Sequence, residues 1–95
     1  MNMAISSFRD KKTKQLESGS NVREFKAIEK VARRKLRMIQ AATKLSDLKA
    51  PPGNRLEALR GDRSGQHSIR VNDQWRICFV WENDRAYDVE IVDYH

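Results

Sequence analysis

The run Pro51-Pro52-Gly53-Asn54 divides the chain into two hydrophobic rhythms that no single element can share. Proline offers no amide to a helix and its ring clashes with the preceding turn, so a helix must end before it. N-terminal to the run, apolar residues return every three or four positions. C-terminal to it they return every two. Helices followed by an antiparallel meander describe an α+β domain, with the helices packed on one face of the sheet.

Val22 to Ala42 contains no Gly or Pro. At about 100° per residue, Phe25, Ile28, Val31, Ala32, Leu36, Met38, Ile39 and Ala42 share one arc, the side that faces a core. Lys26, Lys30, Arg33, Arg34 and Arg37 fall opposite. Lys35 lies inside the apolar arc, where its stem is expected to follow the core edge and its ammonium to snorkel. Asn21 with Glu24 three residues later resembles a capping box for this helix. Before it, Asp10 caps a short helix over Lys11–Glu17 that stops at Ser18-Gly19-Ser20, and Ile5–Phe8 reads as an edge strand.

Beyond the prolines, Trp75, Ile77, Phe79 and Trp81 alternate with Arg76, Cys78 and Val80, and Tyr87, Val89 and Ile91 alternate with Asp88, Glu90 and Val92. Gln66–Val71 reads as a third strand and Arg55–Leu59 as a fourth, with reversals at Gly61–Gly65, Asn72-Asp73 and Glu82-Asn83-Asp84. The heavier rows, including Tyr87, Val89 and Ile91, belong against the helices. The other face then receives Ser68, Arg70, Arg76, Cys78, Val80, Glu90, Val92 and Tyr94, an assignment that one bulge shifts by a residue.

At 95 residues the chain suits a single small domain, residues 1–95, and leaves no room for a separate cofactor module. No apolar run approaches the roughly 20 residues of a membrane span. The opening residues lack the basic start and apolar stretch of a signal peptide, so the chain reads as cytoplasmic. Net charge is +6, and residues 1–50 hold thirteen of the nineteen basic residues but five of the thirteen acidic ones. Such asymmetry favours a polyanionic or acidic partner, although a solvated basic surface explains it equally well. Neither a cofactor nor a metal is implied: His67 and His95 are far apart, and Cys78 has no Cys or His near it.

Two places carry chemistry. Arg76 stands in the most apolar strand, where an unpaired charge is costly; it either pairs with Glu90 or Asp88 on the next strand or serves a ligand, and the two are compatible. Asp93-Tyr94-His95 closes the last strand with three polar side chains, read either as a solvated tail or as part of a site. The like-charge pairs Lys26/Lys30, Lys30/Arg34 and Arg33/Arg37 weaken an isolated helix, which suggests a polyanion on that face.

Read together, Pro51-Pro52-Gly53-Asn54-Arg55-Leu56-Glu57-Ala58-Leu59, Gly61-Asp62-Arg63, Ser68-Ile69-Arg70-Val71-Asn72-Asp73-Gln74-Trp75-Arg76-Ile77-Cys78-Phe79 and Val89-Glu90-Ile91-Val92-Asp93-Tyr94-His95 resemble the HigB toxins of the RelE/ParE superfamily. The resemblance covers nearly the whole chain. It implies a RelE-like toxin that enters the ribosomal A site and cleaves messenger RNA being translated. It also implies neutralisation by a HigA-type helix-turn-helix antitoxin, the complex acting on operator DNA. Family functional positions fall on Arg76, Asp93, Tyr94 and His95, with a further basic position on Arg60. Some members carry a histidine where this chain has Glu57, so proton transfer passes either to that carboxylate or to His95 and Tyr94.

Metal-free RNA cleavage needs a base for the 2′-hydroxyl, cationic donors for the phosphoryl oxygens and an acid for the 5′-oxygen. His95 suits either proton role near neutral pH; Arg76, Arg70 and Arg60 suit the phosphate, Tyr94 a splayed base, and Asp93 an orienting role. Lys26, Lys30, Arg33 and Arg37 suit ribosomal RNA phosphates. Two other classes fit the same residues less fully: a toxin that poisons its target by binding, as gyrase poisons of the superfamily do, and a basic nucleic-acid-binding module.

Overall fold

The computed structural model describes residues 3–94. Extended Asp10 accepts a hydrogen bond from the Thr13 amide at 3.2 Å and starts α1 (Lys11–Glu17) where the sequence places it. Gly19, at φ +101°, turns the chain away from α1.

The second helix is shorter than its sequence pattern. α2 runs over Glu29–Ala41, and Arg23–Phe25 forms a separate 3₁₀ turn. The capping box at Asn21 does not form: Val22 takes the cap position without a side-chain bond, and the Glu24 carboxylate accepts from the Lys12 ammonium. Burial explains the change. Val22, Phe25 and Ile28 are all buried, and a three-residue repeat stacks such residues on one side of a 3₁₀ turn. It also sets the Phe25 ring edge-on to Trp75, with centroids 5.6 Å apart.

The sheet is antiparallel and ordered β1 (Glu57–Ala58), β2 (His67–Arg70), β3 (Trp75–Glu82), β4 (Arg85–Asp93). The strand expected over Arg55–Leu59 contracts to two residues because Arg55 takes a left-handed conformation at φ +44°. Ile5–Phe8 runs parallel to β4 but as two isolated bridges, Ile5 to Ala86 and Phe8 to Val89, rather than as a continuous strand. The interruption faces a bulge. Cys78 pairs with Glu90 and Val80 with Tyr87, so Asp88 and Val89 together oppose Phe79. Asp88 takes φ +53°, and its amide donates to Ser7 Oγ at 2.9 Å.

The bulge corrects one face assignment. Tyr87, opposite Val80, leaves the helix-facing row, and fully buried Ala86, opposite Trp81, takes its place. Otherwise the rows fall as expected. Phe25, Ile28, Ala32, Leu36 and Ile39 pack on Ile69, Ile77, Phe79, Val89 and Ile91 in one apolar cluster. Each such large side chain contributes about 1.5–3 kcal/mol on burial. Among the described residues, no helix is long and apolar enough to cross a membrane.

Candidate functional site

On the sheet face turned away from the helices, register sets Glu57 beside Ser68, Ser68 beside Cys78 and Cys78 beside Glu90. The next row holds Arg70, Arg76 and Val92. Two arginines directly opposite each other repel, and here their side chains lean apart. Arg70 pairs with Asp73 in the following turn. Arg76 turns the other way, its Nε donating to Ser68 Oγ at 2.7 Å and its Nη2 to the Arg55 carbonyl at 2.8 Å, with the Glu57 carboxylate 3.4 Å away.

Glu57 is thus the carboxylate that meets Arg76, in place of the expected Glu90 or Asp88. Glu90 stands one row away and is engaged by Arg63 at 3.1 Å and Arg9 at 3.7 Å. The Arg76 side chain is 11% exposed whereas that of Glu57 is 54% exposed. The guanidinium is therefore anchored while the carboxylate stays accessible. Nη1 of Arg76 has no hydrogen-bond or ion-pair partner among the described residues, so the fork keeps donors for an incoming oxyanion. The Tyr94 ring centroid lies 6.0 Å from the Arg76 guanidinium carbon, and Tyr94 itself is exposed.

Other expected members lie apart from this group. Asp93 pairs in register with Trp75, so strand alternation directs it to the face opposite Arg76 and Tyr94, where it accepts from Gln74 Nε2 at 3.0 Å. Arg60 is exposed in the connection between β1 and β2. His95 lies outside the described residues. On α2, Lys30 and Arg37 are exposed, as is Lys26 just before it, and all three belong to the helix layer, whereas Arg76 is on the sheet face turned away from that layer. Arg33 departs from that set. Its Nε donates to the Leu16 carbonyl at 3.2 Å, Nη2 to the Ser20 carbonyl at 2.7 Å and Nη1 to Glu29 at 3.0 Å, which ties α2 to the end of α1.

Beneath the site, Cys78 is fully buried. Burial pushes its thiol up; Arg63 and Arg76 pull the other way, and Glu90 and Glu57 add to the rise. It is a packing residue, not a nucleophile. Sequence reasoning missed Arg55, whose carbonyl orients Arg76, because a left-handed residue after Pro-Pro-Gly-Asn carries no periodic signal. Ser68 was placed on the correct face without its role as an acceptor.

A family model for HigB-like toxins, described as the RelE-like toxin of the type II toxin-antitoxin system HigB, matches residues 6–95. The chain belongs to that family. Among curated relatives, Toxin HigB-1 of Vibrio cholerae serotype O1 is 51% identical over 55 residues, 58% of each chain. Endoribonuclease HigB of Proteus vulgaris is 39% identical over 61 residues, 64% of this chain and 65% of that one. The aligned portion thus spans somewhat over half the length of these HigB relatives, and the Arg76 cluster lies within the residues that the family model matches.

Proposed function

We propose that this HigB-family chain is the toxin of a type II toxin–antitoxin system and an endoribonuclease that cleaves messenger RNA during translation on the ribosome. The observation that carries the reading is the anchored Arg76 guanidinium, held by Ser68 and the Arg55 carbonyl beside an exposed carboxylate and an exposed tyrosine ring. The name of the Proteus vulgaris relative, Endoribonuclease HigB, supports the same chemistry.

In this mechanism the 2′-hydroxyl gives up its proton and attacks the adjacent phosphorus, forming a 2′,3′-cyclic phosphate as the P–O5′ bond breaks and the 5′-oxygen leaves with a proton. Arg76 donates to the phosphoryl oxygens as their charge grows, with Arg70 and Arg60 extending the positive field. Tyr94 stacks on a splayed base, as aromatic rings do for single strands. His95 and Glu57 divide the proton transfers to and from the sugar oxygens. Asp93 does not face Arg76, so it acts from the far side of the strand by orienting the terminal residues. The surface is shallow, and the ribosomal A site supplies the positioning of the strand. A HigA-type helix-turn-helix antitoxin restrains the toxin, and operator DNA is bound through their complex.

Arg76→Ala is expected to lower cleavage by at least ~10²-fold, the loss typical of removing one transition-state donor. His95→Gln is expected to abolish growth inhibition with the fold intact. Primer-extension mapping of a message in a translating extract checks cleavage by both variants, and growth after induction checks the second. Full cleavage by both variants, or an uncut message with the parent protein, refutes the reading.

A further inference from the structure

Lys35 is a buried charge that the proposed chemistry does not use. It sits on the core-facing arc of α2, and instead of snorkelling to solvent it is 7% exposed with its ammonium donating to Asn54 Oδ1. That partner is a neutral amide, so among the described residues the charge meets a dipole and no countercharge. Burial, with Arg34 and Arg70 nearby, pulls the Lys35 ammonium below its ordinary value. A methionine or leucine at this position packs the same space without that penalty, so the lysine needs another explanation.

Asn54 is itself fully buried and has its remaining donors committed. Its amide nitrogen Nδ2 donates to the Leu48 carbonyl at 3.1 Å and lies 3.8 Å from Met38 Sδ, and its backbone N–H donates to the Pro51 carbonyl at 2.9 Å. It ends the 3₁₀ turn Pro52–Asn54. The next residue is Arg55, left-handed at φ +44° and ψ 55°, whose carbonyl receives Arg76 Nη2 at 2.8 Å. A non-glycine residue holds that conformation only where its surroundings over-determine it. The bond that Asn54 accepts from Lys35 of α2 and the bond that it donates to the Leu48 carbonyl supply the restraint, one residue before the strained position.

From this continuous chain of bonds we infer that the Lys35–Asn54 pair is a positioning device for Arg76: it locks the Pro-Pro-Gly-Asn turn so that the Arg55 carbonyl aims the guanidinium across the open sheet face. Lys35 is a positioning residue, since it touches neither substrate nor reacting atoms. The inference rests on the reading of Arg76 given above.

The test compares full-length Lys35→Met, Lys35→Gln, Arg76→Lys and the Lys35→Met/Arg76→Lys double variant for message cleavage in a translating extract. Lysine at position 76 keeps a charge but lacks the second nitrogen that reaches Arg55. Lys35→Met is expected to lower kcat by roughly 10-fold with KM little changed, as a misplaced transition-state donor does. Lys35→Gln, which keeps a donor for Asn54, is expected to stay within about 3-fold of the parent on the same reasoning. On the Arg76→Lys background, Lys35→Met is expected to add nothing, the signature of two residues acting through one link. The Arg76 Nε–H resonance, protected in the parent by Ser68, is expected to exchange faster in Lys35→Met. Asn54→Ser, whose shorter side chain draws back from the ammonium, reproduces these effects if Lys35→Met fails to fold. A Lys35→Met protein that cleaves as the parent does, while Arg76→Lys is impaired, overturns this inference alone. So does a loss that recurs in full on the Arg76→Lys background, as a purely structural role gives. Arg76→Lys and Arg76→Ala proteins as active as the parent overturn the reading of the site together with this inference.

Discussion

Arg33 and Arg76 occupy equivalent places in the sequence argument, each a cation on the polar side of an amphipathic element, yet the fold uses them differently. Arg33 makes two bonds from α2 to the end of α1 and the turn after it, at the carbonyls of Leu16 and Ser20, and a third within α2 to Glu29. Arg33→Ala is expected to lower unfolding free energy in urea by about 1–3 kcal/mol, the range for lost charge-assisted bonds, while cleavage by the folded protein is unchanged. Nothing in a helical wheel separates Arg33 from Arg37, because its carbonyl partners come from the end of α1 and the turn after it, whose approach to α2 only tertiary packing fixes. Arg76 was legible as a costly charge in an apolar strand, but its partner was not: Glu57 reaches it from β1, across Ser68. Cys78 stays on the face its alternation assigned, yet it is fully buried there. Its folded thiol titrates above the unfolded value near 9.0, so its contribution to stability is complete below that pH and is lost as pH rises through the folded value. Stability of the parent is therefore expected to fall with pH above about 9 more steeply than that of Cys78→Ala, as followed by denaturation at stepped pH.

At the scale of elements, the sequence was most legible where period and punctuation agree. α1 begins at Asp10 as its cap predicts, and β3 begins at Trp75 where the Asn72-Asp73 reversal ends. It was least legible where burial competes with period. The stretch expected to open the long helix turns into a 3₁₀ turn because Val22, Phe25 and Ile28 all reach the core that way. The Asp88 bulge is the other case: alternation through Tyr87, Val89 and Ile91 is unbroken in sequence, yet the extra residue moves Tyr87 to the opposite face. Asp88 and its neighbours Asn83 and Asp84, all at positive φ, are residue types that tolerate the left-handed region better than most. Asp88→Gly is expected to stay within about 0.5 kcal/mol of the parent, whereas Asp88→Ala costs roughly 1–2 kcal/mol, because only glycine escapes the Cβ clash. Thermal melts of the two variants measure the difference.

At the scale of the whole molecule, the two-layer architecture separates charge into two surfaces of different character. The sheet face keeps Arg76 shielded at 11% exposure with Glu57 beside it, so its field is local and partly compensated. The helix layer exposes Lys26, Lys30, Arg34 and Arg37, whereas Arg76 lies on the sheet face turned away from that layer. If the helix layer contacts ribosomal RNA phosphates, its contribution is counterion release, and each contact adds about 0.7–0.9 to the slope of log affinity against log salt. The triple variant Lys26→Ala/Lys30→Ala/Arg37→Ala is then expected to reduce the slope of ribosome binding by about 2–3. Message cleavage at saturating ribosome should be untouched, because none of the three belongs to the Arg76 group. Arg33→Ala supplies the contrast from the same helix, since a side chain committed to Glu29, Leu16 and Ser20 releases no counterions on binding. An unchanged slope in the triple variant assigns the basic side to another acidic partner or to solvent; a slope lost together with cleavage at saturation means that the two surfaces are not independent.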